Sequence, residues 1–169
     1  MLVVQRRCGY YRFPILLALL GSFVCADSLD AMDIIASGSW SIAIGVSDLL
    51  GGAGTNLTNS FESASGQVQL TIFNTAGLSD NWRVDVRRTD VNWPAGLVLL
   101  VRRTDDGTGS GSIIDGNSYQ AVVTTDTPLF SGSGDRSTVG VQILLSGISV
   151  QVNPHLYAES LIYTVVDTL

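Results

Sequence analysis

The stretch Trp82-Arg83-Val84-Asp85-Val86-Arg87 alternates apolar and charged side chains residue by residue. Successive side chains of a β-strand point to opposite faces of its sheet. A strand with this alternation has one face in a core and the other in water, which is typical of antiparallel sheets. The stretch therefore predicts a half-buried strand of an antiparallel sheet.

Similar patterns recur along the chain, between turns rich in Gly, Ser, Asp and Asn, and no stretch after residue 26 keeps the apolar spacing of a helix. Loops are expected at 49–65 and 128–136. About eight to ten short strands predict an all-β fold, an antiparallel β-sandwich of Ig-like or pilin-like type, in preference to a barrel. Residues 27–169 fit a single domain. The predicted strands lie at 39–46, 67–73, 82–87, 96–101, 118–125, 139–145, 148–152 and 157–167.

Residues 1–26 have the layout of a secretory signal peptide. Three arginines precede an apolar run at 13–20, and Val24 and Ala26 occupy the −3 and −1 positions of a cleavage site. The apolar run is too short to span a membrane, which takes about 20 residues. We therefore expect an exported protein, secreted or held at the cell surface or in the periplasm, whose mature chain starts at Asp27 and has no membrane span.

Both cysteines, Cys8 and Cys25, lie within this leader, so the mature chain has no disulfide. Its stability then rests on packing and strand pairing, which is feasible at this length. Lipidation of Cys25 is an alternative that would tether the protein to a membrane. It is disfavoured because bacterial lipidation needs a small residue directly before the cysteine, and this chain has Val24 there.

The mature chain is strongly acidic. It holds six arginines, no lysine and fifteen acidic residues, which gives a net charge of −9. Nucleic-acid binding depends on neutralising phosphates with basic side chains, so a nucleic-acid partner is disfavoured. The negative charge favours solubility and is compatible with divalent cations.

Groups suited to acid–base catalysis are scarce. His155 is the only histidine, and Glu62 and Glu159 are the only glutamates. A catalytic triad needs a nucleophile, a base and an orienting acid, and a zinc site needs three or four suitable ligands. We therefore expect a protein that is not an enzyme. A hydrolase that uses Asp105 and Asp106 is the remaining catalytic alternative.

Two aspartate-bearing loops are the candidate metal site. Asp105 and Asp106 open the Gly-rich stretch 105–111, and Asp135 follows Gly132-Ser133-Gly134. Carboxylate oxygens and flexible glycines suit calcium, which takes six to eight oxygen ligands. Because Asp-Gly is also a favoured hairpin turn, plain turn chemistry is the competing interpretation.

Trp93 is the candidate ligand-binding residue. It lies in the turn-like stretch Asn92-Trp93-Pro94-Ala95-Gly96, whereas Trp40 and Trp82 lie on apolar faces and are expected in the core. An exposed tryptophan can stack on a sugar ring or anchor a protein contact. The alternative is that Trp93 folds back over the end of the sandwich.

One short sequence occurs twice, as Val86-Arg87-Arg88-Thr89-Asp90 and as Val101-Arg102-Arg103-Thr104-Asp105. The simpler interpretation is that two strands with similar amphipathic patterns carry arginines that pair with neighbouring aspartates. The functional interpretation is an arginine surface that grips an anionic partner, because guanidinium groups suit carboxylate and sulfate.

The stretches 141–147, 153–154 and 156–166 together resemble the closing strands of exported bacterial β-sandwich proteins, including spore-coat-U-like and fimbrial-type subunits. The shared features are a Pro-containing turn and a Tyr that opens a long last strand. The resemblance implies a structural or adhesive surface protein whose partners are copies of itself or other surface proteins. Assembly would add a strand across an open groove, and the arm 27–37 is a candidate donor segment.

A monomeric carbohydrate- or ligand-binding module, dependent on calcium, is the alternative function. In that interpretation Trp93 and the aspartate loops lie together at one end of the sandwich.

Overall fold

The fold is that of a computed structural model, which describes residues 32–89, 92–153 and 155–168. The expected leader and both cysteines lie outside the described residues. Ten strands form two antiparallel sheets, which confirms the predicted all-β sandwich. The strands are β1 Asp33–Ser37, β2 Ser60–Glu62, β3 Val68–Phe73, β4 Asn81–Arg88, β5 Val98–Arg103, β6 Ile113–Ile114, β7 Gln120–Ala121, β8 Thr127–Ser133, β9 Arg136–Ser146 and β10 Leu161–Asp167.

The larger sheet has six strands in the order β1-β3-β9-β5-β7, with β2 pairing β9 beyond the end of β3. β9 organises this sheet, because β5 pairs along one side of it while β3 and β2 share the other. The second sheet has four strands in the order β10-β4-β8-β6. All pairings are antiparallel, as the alternating pattern predicts.

The core lies between the sheets and follows the alternation of the sequence. On β3 and β4 the fully buried side chains are Val68, Leu70, Ile72, Trp82, Val84 and Val86. Trp82 packs edge to face on Phe130, with ring centroids 6.1 Å apart, and its Nε1 donates to the carbonyl oxygen of Gly134 at 2.8 Å. An aromatic pair of this geometry adds about 0.5–1.5 kcal/mol beyond its burial.

Gly132 makes room for this tryptophan. A Cβ at Gly132 would lie 2.5 Å from Cη2 of Trp82 and 2.5 Å from the carbonyl oxygen of Ser112. Any side chain there would displace the indole ring or β6. Most of the loop expected at 128–136 belongs to strand β8, and only residues 134–135 form the turn before β9. The sequence pattern missed this strand because Pro128 and Gly132 interrupt its alternation.

Several predicted strands are wrong because they extend past the partners that would pair with them. After β1 the chain runs outside both sheets to Gly45 and forms a short 3-10 helix, Val46–Asp48, so no strand occupies 39–46. The residues at 148–152 form no strand either. The last strand starts at Leu161, at the point where Arg88 of β4 can pair with it.

The two ends of the sandwich differ in chemistry. Residues 74–80 and 134–135 form the polar end, where Asn74 binds Asp33 and the backbone N–H of Ala76 donates to Asp80. Residues 45–59, 92–97 and 147–153 form the other end, which we call the apolar end. Among the described residues, no helix is long and apolar enough to cross a membrane.

Candidate functional site

Asp105 and Asp106 hold the loop that follows β5. Oδ1 of Asp105 accepts hydrogen bonds from the backbone N–H of Gly107 at 2.9 Å and of Gly140 at 3.2 Å. Asp106 forms an ion pair with Arg103. Gly107 has a φ of 61°, and a Cβ there would clash with the backbone at Ser137. The first aspartate loop is thus tied to β9 by the Asp105 carboxylate and to β5 by that of Asp106. Its close approach to β9 requires glycine at position 107.

Asp135 lies in the turn between β8 and β9 at the polar end. Its Oδ1 accepts from the backbone N–H of Thr75 at 3.0 Å and from Oγ1 of the same residue at 2.8 Å. This carboxylate therefore joins the β8–β9 turn to the β3–β4 turn. It is exposed, as are Asp105 and Asp106.

The two aspartate loops lie apart. Asp105 contacts Gly140, which is five residues along extended β9 from Asp135, or roughly 15 Å at the rise of a strand. In the part of the chain that the structure describes, no three His, Cys, Asp or Glu side chains converge where they could hold a metal ion. Calcium binding by Asp105, Asp106 and Asp135 stays a prediction, and each carboxylate has partners within the protein.

Trp93 folds back onto the apolar end. It is half-buried and packs against the core, its Nε1 donates to the carbonyl oxygen of Leu97 at 2.9 Å, and Tyr157 approaches it edge to face at 6.4 Å. The Tyr157 hydroxyl in turn donates to the carbonyl oxygen of Asn153 at 2.6 Å, and His155 lies 5.5 Å from the Tyr157 ring. The indole N–H of Trp93 and the hydroxyl of Tyr157 are therefore both bonded to loop backbone.

Trp93 and the aspartate loops do not share one end of the molecule. Trp93 precedes the start of β5, whereas Asp105 and Asp106 follow the end of the same strand. Asp135 adjoins the first residues of β4, whose other end leads toward Trp93. The structure thus separates residues that the sequence-based alternative places together at one end, because turns of similar composition lie at different places along antiparallel strands.

The four arginines of the repeated sequence all have partners within the protein. Arg87 pairs with Asp126 at 3.2 Å and Arg88 with Glu159 at 3.8 Å. Arg102 donates twice to Oε1 of Gln142, at 3.0 and 2.9 Å, and its guanidinium lies 4.6 Å from the Tyr119 ring centroid. Arg103 donates to the carbonyl oxygen of Asp115 at 2.8 Å and pairs with Asp106, and burial lowers its pKa. These contacts favour the simpler interpretation over an anion grip.

An open groove of about 680 Å³ lies between residues 115–120 and β8. Gly116 packs closely on Phe130 there, and its carbonyl oxygen accepts from the backbone N–H of Arg103 at 2.6 Å. Tyr119 lines the groove, and burial raises the pKa of its phenol. The groove runs along the edge where the two sheets separate.

The apolar end exposes large aliphatic side chains. Val46 is 85% exposed, Leu50 71% and Val150 61%. Asn56 joins Leu50 to Val150, because its carbonyl oxygen accepts from the backbone N–H of Leu50 at 2.8 Å and its Oδ1 accepts from that of Val150 at 3.3 Å. Val46 starts the 3-10 helix that lies just before Leu50 in the chain. We call Val46, Leu50 and Val150 the apolar patch.

Sequence reasoning missed the apolar patch, although charge spacing contains a signal for it. Residues 34–61 include a single charged residue, Asp48, and residues 137–158 include none when His155 is neutral. These two stretches supply the patch. Because these two long segments are nearly uncharged, the negative charge of the chain is concentrated on the rest of its surface.

Compared with known proteins, the chain matches no family model, no curated protein sequence and no solved structure.

Proposed function

We propose that this chain is an exported, non-enzymatic structural or adhesive protein of the cell surface, a subunit that assembles with copies of itself. The observation that carries the proposal is the apolar patch, Val46, Leu50 and Val150, exposed at one end of a rigid sandwich. Clustered apolar side chains on a protein surface mark contact sites, whereas single exposed ones are ordinary.

Electrostatics favour association at this end. Two copies that each carry a net charge of −9 repel one another over most of their surfaces. The segments that form the patch have one charged residue, Asp48, so close approach there buries apolar surface with little like-charge repulsion. The secretory layout of residues 1–26 and the resemblance of the last strands to fimbrial-type subunits also support a surface role.

The first test is the molar mass in solution of the chain from Asp27 to Leu169, which contains every strand and core residue of the described structure. We expect light scattering to detect dimers or larger assemblies whose mass rises with protein concentration, both with and without calcium. A stable monomer at all concentrations would contradict self-assembly.

A matched pair of variants locates the contact. Leu50→Asp combined with Val150→Asp places two carboxylates in the patch and should return the protein to monomer. Leu78→Asp is the control, because Leu78 is 61% exposed but lies at the polar end. The control should assemble like the unaltered chain, and both should keep its melting temperature, since all three side chains are exposed.

A monomeric ligand-binding module is the second candidate, and the groove of about 680 Å³ beside Tyr119 favours it. Ligand pockets are concave sites of this size range with a few polar groups. A monomer whose melting temperature rises with a soluble glycan or with calcium, and loses that rise in Tyr119→Ala, would support the module over the assembling subunit.

A further inference from the structure

The segment 40–44 has an unusual backbone. It leaves β1, runs without a turn or bend, and makes no backbone hydrogen bond within the described residues. Contacts hold it at both sides: Ser39 accepts from Nε2 of Gln67 at 2.6 Å, and the backbone N–H of Gly45 donates to Asp48 at 2.8 Å. Five successive N–H and C=O groups are therefore left for water or for another chain.

The side chains of this segment have the pattern of a strand. Trp40, Ile42 and Ile44 alternate with small residues, and β-branched residues in alternation favour strands. Ile42 and Ile44 are exposed, while Trp40 packs against the core. The segment thus has the composition of a strand, but no strand of the described residues pairs with it.

The same segment continues an open sheet edge. Among the described residues β1 pairs with β3 alone and ends the larger sheet on that side, near β10 of the smaller sheet, whereas the opposite edges of the two sheets, β7 and β6, have two residues each. Natural proteins protect long edges with charged residues, proline or bulges. β1 begins with the charged Asp33, but residues 34–47 contain no charged residue and no proline, so the rest of this edge lacks those protections.

We propose that two copies of the chain pair through this edge, antiparallel and related by a two-fold axis, with residues 34–46 of one copy beside the same residues of the other. The proposal rests on the self-assembly proposed above and adds a strand pairing to the contact at the apolar patch, since the stretch 34–46 ends at Val46 of that patch. A second copy is the favoured occupant because a two-fold contact needs a self-complementary segment. An uncharged alternating strand meets that need, and it removes the repulsion that two acidic chains would otherwise feel.

Single cysteines test the geometry, since the chain from Asp27 onward has none of its own. Ser37→Cys, Ser39→Cys, Ser41→Cys and Ala43→Cys place thiols at exposed alternate positions, and Ser79→Cys is an exposed control at the polar end. Disulfides need Cα atoms within about 7 Å. In such a dimer, a residue two positions from the two-fold axis lies about 13 Å along the strands from the same residue of the other copy. Only the tested position nearest the axis, or the two tested positions on either side of it, should therefore cross-link under mild oxidation.

The possible results of this experiment distinguish a failure of the edge contact from a failure of the proposed self-assembly. Cross-linking at one or two neighbouring positions, well above the Ser79→Cys control, supports the edge. Cross-linking no higher than the control, in protein that light scattering shows to be assembled, overturns the edge while self-assembly stands. A protein that is monomeric by light scattering contradicts the self-assembly itself.

A proline provides a second readout. The backbone N–H of Ser41 has no hydrogen-bond partner among the described residues, so Ser41→Pro should leave the melting temperature unchanged. Because the N–H groups of successive strand residues point to opposite edges, Ile42→Pro is tested beside Ser41→Pro. One of the two removes a donor that faces the partner copy, and we expect its self-association to be at least about tenfold weaker. Unchanged association in both folded proline variants would overturn the proposal.

Discussion

The sequence Val-Arg-Arg-Thr-Asp occurs twice, at 86–90 and at 101–105, and its two copies differ in how deeply the second arginine is buried. Val86 and Val101 are both fully buried, one on β4 of the smaller sheet and one on β5 of the larger. At the second arginine the copies diverge, since the side chain of Arg103 is 4% exposed and that of Arg88 is 18% exposed. The same residues therefore meet different surroundings at the ends of two strands.

The threonines show what these strand ends have in common. Thr89 donates from its backbone N–H at 2.8 Å and its hydroxyl at 2.9 Å to Oε1 of Glu159, which fixes the approach to β10. The backbone N–H of Thr104 donates to the carbonyl oxygen of Gly140, and the Thr104 hydroxyl accepts from the backbone N–H of Gly66 at 3.1 Å. Each of the two threonines therefore fastens a part of the chain that is distant in sequence.

The largest difference is expected at the second arginine. Arg103→Ala removes a buried guanidinium and leaves the carbonyl oxygen of Asp115 without its donor, and should lower the unfolding free energy by about 3 kcal/mol. Arg88→Ala should lower it by about 1–2 kcal/mol, because this side chain is less buried. Urea unfolding measures both, with Arg103→Met as the control that keeps the apolar stem. Equal losses of unfolding free energy in Arg103→Ala and Arg88→Ala would contradict the inference that the deeper burial of Arg103 makes it the more important residue for stability.

The valines should behave alike. Val86→Ala and Val101→Ala each remove buried methyl groups from the same core, and each should lower the unfolding free energy by about 2 kcal/mol. The two values should agree within about 0.5 kcal/mol. A larger gap, measured by the same urea titration, would show that the two strands are not equivalent even at their shared starting residue.

The first arginines should differ modestly. Arg102→Ala loses two hydrogen bonds to the buried Gln142 and the stacking on Tyr119, and should cost about 1–2 kcal/mol. Arg87→Ala loses a pair with the exposed Asp126 and should cost under about 0.5 kcal/mol. Repeating the unfolding in high salt provides the check, because the small Arg87 effect should vanish there while the Arg102 effect persists.

The smallest effect is expected opposite Val86, at Tyr163 of β10. The Tyr163 hydroxyl is buried and makes no hydrogen bond within the described residues, so Tyr163→Phe should change the unfolding free energy by less than about 0.5 kcal/mol at neutral pH.

Alkaline pH should separate this variant from the unaltered protein. Burial raises the pKa of the Tyr163 phenol from its ordinary 10.0. The folded protein then holds this proton while the unfolded chain releases it, so the stabilisation is complete below pH 10 and is lost as pH rises beyond it. Tyr163→Phe should lose less stability than the unaltered chain above pH 10. Parallel curves would contradict the burial of an un-ionised phenol.

Alternation in the sequence was a reliable guide where a strand had neighbours on both sides. The patterns at 67–73 and 82–87 coincide with β3 and β4, and the buried parity is the one predicted. It was a poor guide at 39–46, where the same pattern lies outside both sheets. An alternating sequence indicates that a strand there would have one apolar face and one polar face, but it does not indicate whether a partner strand is present.

The candidate site residues show the same limit. The sequence allows Trp93 to be a ligand platform or a cover for the sandwich, and its packing on the core and its hydrogen bond to Leu97 favour a cover. Asp105 and Asp135 were grouped by composition, yet they lie at different positions along β9. Composition identifies residues able to bind an ion, but only folding sets the distances between loops that are remote in sequence.

The sequence by itself determined the all-β class, the antiparallel alternation and the residues that face the core, because these follow from a period of two and from the burial of apolar side chains. It also determined the excess of negative charge and the uncharged stretch 34–47. The tertiary structure alone decided which strands pair, which arginine is buried and which apolar side chains stay exposed. Those outcomes depend on contacts between segments far apart in the chain, and local sequence does not specify such contacts.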